Sequence, residues 1–386
     1  MNMLKSKKFR GAALLFLSVI SIVILSEAAL RIAFLYHRGY FVWLPNTLVI
    51  FSVAPEIAPG VRGKARFITD SRGIVADEIT TDYTYKILAV GGSTTECLYL
   101  DHEEKWPYLL QENLNEMQRN SKIWVGNVGK SGLNSRDHIV ELQYLLKQYR
   151  DINAIVLLIG VNDLSMRLSQ DSDYDPDFLN SANAKQEIFD RVFVNAIYKD
   201  GPYYQRTAIW QLLGKIKRAI LLLNELEIQD EEGEVYTKWR EHRHNAAVLR
   251  QTLPDMTSAL DEYARNINSI IDLANANSVR AIFLTQPVLW KPSLSDELND
   301  LLWLGGVGDF QIESGKEYYS VEALSMAMSL YNETLLKVCR MRHVECIDLA
   351  SLLPEDTTVF YDDAHFNESG SKKVAEILAE YLIHNL

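Results

Sequence analysis

Four short segments of the chain carry side chains that could do chemistry. In Gly91-Gly92-Ser93-Thr94-Thr95-Glu96 a serine follows two glycines at the end of an apolar run. The glycines permit a sharp turn that leaves the hydroxyl approachable. A helix starting there would aim its first amides at developing negative charge. Alone, the pattern also fits an ordinary turn. It is not the nucleophile elbow, because Gly-x-Ser-x-Gly is absent, nor a phosphate loop, because no Gly-Lys-Ser/Thr follows it. In Asn127-Val-Gly129-Lys-Ser-Gly132-Leu-Asn-Ser135, Gly132 could turn a backbone N–H toward a site, or serve a turn that needs positive φ. In Ile159-Gly160-Val161-Asn162-Asp163, the Asn162 amide could donate to an oxyanion or cap a helix; Asp163 is assigned to capping. In Tyr361-Asp362-Asp363-Ala364-His365, an aspartate stands three residues before a histidine. That spacing can bring the carboxylate to Nδ1, fix the tautomer and leave Nε2 as a base. A metal reading of Asp362, Asp363 and His365 lacks the further ligands that zinc requires.

These segments need elements to position them. Apolar runs at 85–90, 122–128, 154–159, 279–285 and 344–348 predict buried strands. Helical patterns fill 106–117, 135–149, 256–277, 318–340 and 368–384. Alternating strands and helices predict an α/β fold in three layers around a five-stranded parallel sheet. Each chemical segment follows a strand or lies in the last loop, which places all of them at the carboxyl edge of the sheet, where ligands bind. Two insertions, 164–255 and 286–315, interrupt the alternation after strand ends and are expected as a helical cap over that edge.

With 386 residues, 48% hydrophobic and 23% charged, the chain has material for a large core. Its net charge of −12 argues against nucleic acid as a partner. Lys5, Lys7, Lys8 and Arg10 precede an apolar stretch that runs to about residue 35. Residues 1–35 are therefore read as a basic tail and a membrane helix, with Glu27 and Arg31 paired one turn apart near its far end. The basic flank stays in the cytoplasm, so the rest of a single-pass inner-membrane protein would be extracytoplasmic (periplasmic). Cleavage of a signal peptide at Ser26-Glu27-Ala28 and a buried core helix are the rival readings. Residues 36–82, rich in proline and glycine, read as a juxtamembrane linker with a hairpin, and 83–386 as the catalytic domain.

The four segments, Gly-Gly-Ser93-Thr, Asn-x-Gly-x-x-Gly132, Gly-x-Asn162-Asp and Asp362-x-x-His365, resemble the four blocks of the SGNH/GDSL hydrolase superfamily, in the family's order. The resemblance covers about 83–385. It implies a flavodoxin-like sheet of order 2-1-3-4-5 and ester hydrolysis or acyl transfer without a cofactor. On that reading Ser93 attacks, His365 is the base, Asp362 orients it, and the oxyanion is held by the Ser93 N–H, the Gly132 N–H and the Asn162 amide. The chain departs from the family in having Gly-Gly-Ser for Gly-Asp-Ser and a long gap between Asn162 and Asp362. An esterase or O-acyltransferase/deacylase acting on an envelope glycan or glycolipid ester is the expectation. A lipase or lysophospholipase, and a noncatalytic envelope assembly protein, are the alternatives.

Other residues receive structural readings. Glu96 is expected to serve the first helical turn, and His242 and His244 to be solvated on a polar helix. Gly305-Gly306-Val307-Gly308 reads as a loop. Trp290 and Trp303 in one insertion, and Tyr203, Tyr204 and Trp210 in the other, are aromatic core or sugar platforms. Cys339 and Cys346 bracket a helix–strand join, and the sequence leaves their pairing open, with Cys97 near Ser93 left over.

Overall fold

The computed structural model describes residues 2–35, 39–118, 122–194, 204, 207–210, 212–213, 216 and 232–384. The chain divides into two compact units, one of residues 1–40 and 194–226 and the other of 41–193 and 227–386.

The larger unit is built on a fully parallel five-stranded sheet. Its strands are β3 (Tyr85–Gly91), β4 (Ile123–Asn127), β5 (Ala154–Leu158), β7 (Arg280–Leu284) and β9 (Glu345–Ile347), in the order β4-β3-β5-β7-β9. Counted within this sheet, that is the expected 2-1-3-4-5. Ile87, Leu88, Ala89 and Val90 of β3 and all of Ala154–Leu158 of β5 are buried. Near-continuous apolar strands are what a sheet covered by helices on both faces demands. The helices are α3 (Trp106–Met117), α4 (Ser135–Gln148), α5 (Val161–Gln170), α6 (Ala184–Val192), α7 (Glu232–His244), α8 (Thr257–Ala276), α10 (Val321–Arg342) and α12 (Glu368–Ile383). Short turns of helix, α2 (Ser93–Glu96), α9 (Asp296–Asn299) and α11 (Leu349–Leu352), follow Gly92, Ser295 and Asp348.

The register brings the chemical segments together. Gly91 pairs with Leu158 and Ala89 with Asn127, so β3, β4 and β5 end at one level. The first insertion pairs with the segment just after the second through two short parallel strands, β6 (Val248–Arg250) and β8 (Glu317–Tyr319).

Residues 41–82 do not form a free linker. They hold the expected hairpin, β1 (Leu48–Ser52) antiparallel to β2 (Lys64–Ile68). They also bury Val42, Phe67, Ile74 and Val75 in the core of the larger unit. Val75 exchanges backbone hydrogen bonds with Asn127, and the Trp43 indole donates to the Gly129 carbonyl at 3.2 Å. An irregular backbone satisfied by edge contacts has no period, which is why the pattern looked like a linker.

In the smaller unit, α1 (Asn2–Leu35) contains an apolar span, Leu15–Ile32, of mean hydropathy 2.1 with none of it buried. It is long and apolar enough to cross a membrane. Glu27 and Arg31 pair at 2.7 Å as their spacing predicts. Glu27 also accepts the backbone N–H groups of Ala208 and Ile209 at 2.9 and 3.1 Å. Residues 194–226 of the first insertion belong to the same compact unit as α1. Tyr204 and Trp210 pack edge to face with 5.0 Å between centroids, and Tyr203 lies outside the described residues.

Candidate active site

Ser93 is the first residue of α2, directly after β3, and the two glycines before it are dictated by space. A Cβ on Gly91 would stand 2.3 Å from the Thr95 hydroxyl and 2.4 Å from the Leu158 carbonyl. One on Gly92 would stand 2.2 Å from the Asn162 side-chain nitrogen. Only glycine lets β3 turn this closely past β5 and the start of α5.

The loop before α12 returns to the same edge. His365 Nε2 lies 2.7 Å from Ser93 Oγ, and His365 Nδ1 lies 2.7 Å from Asp362 Oδ2. Asp362 is fully buried and faces four donors, the His365 Nδ1 among them. Its Oδ1 accepts the backbone N–H groups of Ala364 at 3.0 Å and His365 at 2.8 Å, while Oδ2 also accepts the Trp303 indole N–H at 2.9 Å. Burial favours the neutral acid, but the imidazole charge and these hydrogen bonds outweigh it and hold Asp362 at about 2. Burial likewise disfavours a charged His365, yet Asp362, with Asp363 and Glu96 beyond it, moves the imidazole above its ordinary value. A carboxylate fixed on Nδ1 leaves Nε2 to take the Ser93 proton. Asp363, its neighbour in sequence, does a different job. It accepts the Trp290 indole at 2.8 Å and the backbone N–H groups of Trp303 and Leu304 at 2.7 and 3.2 Å. Burial and the nearby Asp362 charge push its acid upward.

Asn162 and the loop holding Gly132 come to the Ser93 turn from the other two strand ends, Asn162 against Gly92 and the loop through Ser131, which bonds Glu96. The Asn162 amide, against Gly92, donates to the Leu133 carbonyl at 2.8 Å. Gly132 has φ +78°, and a Cβ there would meet nothing within 4 Å, so open space lies beside it. Both the positive φ and the approachable edge are thus present at one residue.

Several side chains behave differently from the sequence expectation. Asp163 accepts the backbone N–H of Ser135 at 3.2 Å and the Ser135 hydroxyl, thereby tying the Asn162 turn to the start of α4 rather than capping its own helix. Glu96 is buried and accepts the Ser131 N–H at 2.6 Å and hydroxyl at 2.5 Å, which joins the Ser93 turn to the Gly132 loop. Burial raises its acid. His242 is buried, with Nδ1 2.9 Å from the Phe310 carbonyl oxygen, whereas His244 is half-exposed beside Asp300. Trp290 and Trp303 are buried and hydrogen-bonded, so they are interior groups rather than exposed platforms. Gly305–Gly308 form the expected loop.

Lys105 had no sequence signal. It is 1% exposed, and its ammonium donates to the Glu96 carbonyl at 3.1 Å and to the Cys97 carbonyl, at the carboxyl end of α2. A cation there complements the helix end, and burial lowers its titration to about 8. Cys97 is buried with its thiol pushed up to about 12 by desolvation. Cys339 and Cys346 form a disulfide.

The sequence profile described as GDSL-like Lipase/Acylhydrolase family matches residues 89–373. Similar solved structures include an acetylxylan esterase, Axe2, from Geobacillus stearothermophilus, 12% identical over 80% of this chain and 97% of that chain, with a TM-score of 0.40. The psychrotrophic esterase EstA from Pseudoalteromonas sp. is 11% identical over 76% of this chain and 94% of that chain, TM-score 0.36. An alpha/beta hydrolase enzyme, LAE5, from the metagenome of Lake Arreo is 12% identical over 78% and 97%, TM-score 0.41. No curated protein matches the sequence.

Proposed function

The chain belongs to the GDSL-like lipase/acylhydrolase family and is an ester-bond hydrolase; from that premise we propose that Ser93, His365 and Asp362 carry its acyl chemistry. The observation that supports this reading is the unbroken relay of 2.7 Å contacts from Asp362 through His365 to Ser93. Ser93 Oγ attacks the acyl carbonyl while its proton passes to His365 Nε2. The oxyanion that forms is held by the Ser93 and Gly132 N–H groups and the Asn162 amide. The tetrahedral intermediate collapses to an acyl-serine, and His365 returns the proton to the departing alcohol. A second hydroxyl then takes the same path. Water gives hydrolysis, and a sugar hydroxyl gives O-acyl transfer.

The proposed substrate is an acylated glycan or glycolipid of the cell envelope. Two features support that setting. Basic residues precede an apolar helix long enough to cross a membrane, and a basic flank kept in the cytoplasm would leave the catalytic unit on the other side. The Cys339–Cys346 disulfide suits an oxidising compartment. The test is reaction of the full-length chain with a fluorophosphonate, which should modify Ser93 in the wild type and not in Ser93→Ala. Equal labelling of both would end the assignment. Mass spectrometry of an acyl group trapped on Ser93 would then identify the donor, with a short acyl group expected and a long fatty chain pointing to a lipase instead.

A further inference from the structure

Asp362 carries a donor that the relay itself does not require. The Trp303 indole N–H reaches Oδ2 at 2.9 Å, on the same oxygen that faces His365 Nδ1. A buried indole usually finds some acceptor, and a backbone carbonyl would do. Here the acceptor is an ionised carboxylate, for which such a bond is stronger and more directional. The Trp303 ring is also nearly parallel to the imidazole, at 7° with 6.4 Å between centroids.

Trp303 is not free to move away. Its backbone N–H is held by Asp363, and the flanking carbonyls of Leu301 and Leu304 accept from Arg240 at 3.1 Å and Arg243 at 2.6 Å. Both arginines come from α7, in the other insertion. Trp239 of α7 packs on Trp303 with 4.5 Å between centroids.

We infer that Trp303 is a positioning residue for the acid–base pair, its indole N–H fixing the Asp362 carboxylate so that the 286–315 insertion is part of the reactive machinery. The inference rests on the reading of Ser93, His365 and Asp362 as the reactive set. Without the N–H, more negative charge remains on Oδ2 and stabilises the imidazolium further, while the carboxylate gains freedom to turn. The relay should therefore slow, and His365 should lose its proton only at a higher pH. Other groups act on the same pair. Asp363 and Glu96 raise His365, the Tyr236 and Tyr361 phenols lie close to Asp362, and Arg243 faces Asp363. All of these are common to wild type and variant, so a difference between them reports the indole N–H.

The experiment compares the rate of fluorophosphonate labelling against pH for the full-length wild type and two variants. One is Trp303→Phe. The other carries benzothienylalanine at position 303, which keeps the ring shape and replaces N–H by sulfur. The expected result is labelling roughly tenfold slower with the acidic limb displaced to higher pH and far-UV circular dichroism unchanged. Wild-type rate and limb in the benzothienylalanine protein would overturn the inference, and that variant decides the matter if Trp303→Phe fails to fold. Ser93→Ala, run alongside, separates the two readings. A silent Ser93→Ala with wild-type behaviour at position 303 overturns this inference alone. Labelling of Ser93→Ala at the wild-type rate overturns the functional reading as well.

Discussion

His365 Nε2 and Ser93 Oγ stand 2.7 Å apart although 272 positions separate them in the chain. The contact exists because β3 ends at Gly91 and the loop before α12 folds back over the same sheet edge. It also requires that His365 be neutral to accept a proton. Since Asp362 raises the imidazole's pKa, the labelling rate at Ser93 should climb with pH along a limb lying above the ordinary histidine value of about 6.5. Asp362→Asn should lower the rate by about 10³–10⁴-fold, because the tautomer is no longer fixed. A limb at or below the ordinary value in the wild type would contradict this account.

The same pair links pH to stability. His365 has a raised folded value, so its contribution is complete below about 6.5 and is lost as pH rises from there through the raised folded value. Asp362 has a depressed one, so its contribution is present above about 4 and is lost as pH falls toward 2. The melting temperature of wild type should therefore fall more steeply on acidification below pH 4 than that of Asp362→Asn. Parallel curves for the two proteins in that range would remove the argument.

Asn162→Ala should reduce acylation of Ser93 by about 10²–10³-fold with little change in melting temperature. The amide lies against Gly92 and gives a single hydrogen bond among the described residues, to the Leu133 carbonyl, at the carboxyl edge of the sheet. A loss below threefold would show that the amide donates elsewhere during the reaction.

Glu96→Ala should destabilise the larger unit by about 1–3 kcal/mol, because it strips the acceptor from the Ser131 N–H and hydroxyl. Glu96→Gln retains an acceptor and should recover part of the loss. Thermal unfolding measures both, and equal stabilities of Glu96→Ala and wild type would mean that the Gly132 loop is held by other contacts.

Of the three cysteines, only Cys97 should react with a thiol reagent after unfolding without reductant, and all three after reduction. Intact mass after alkylation counts them. Three reactive thiols in protein isolated from the envelope would argue against an oxidising compartment.

Much of this protein was written in its sequence because the governing rules are local. Apolar runs ending at Gly91, Asn127 and Ile159 gave the strands, and the alternation with helices gave the parallel sheet. Short motifs singled out Ser93, Gly132, Asn162, Asp362 and His365 as candidates, and the order of the four blocks, through a family resemblance, joined them into one proposed set. The partnerships that bind the site together lie beyond the range of such motifs. Trp303 meets Asp362 across 59 residues, Glu96 meets Ser131 across 35, and Lys105 reaches back to the end of α2 as a buried cation with no motif. Residues 41–82 likewise became part of the core through edge contacts, such as Val75 with Asn127, that leave no periodic trace. Burial converts ordinary surface residue types into interior ones only when distant segments close around them, and that closure was decided by the packed fold alone.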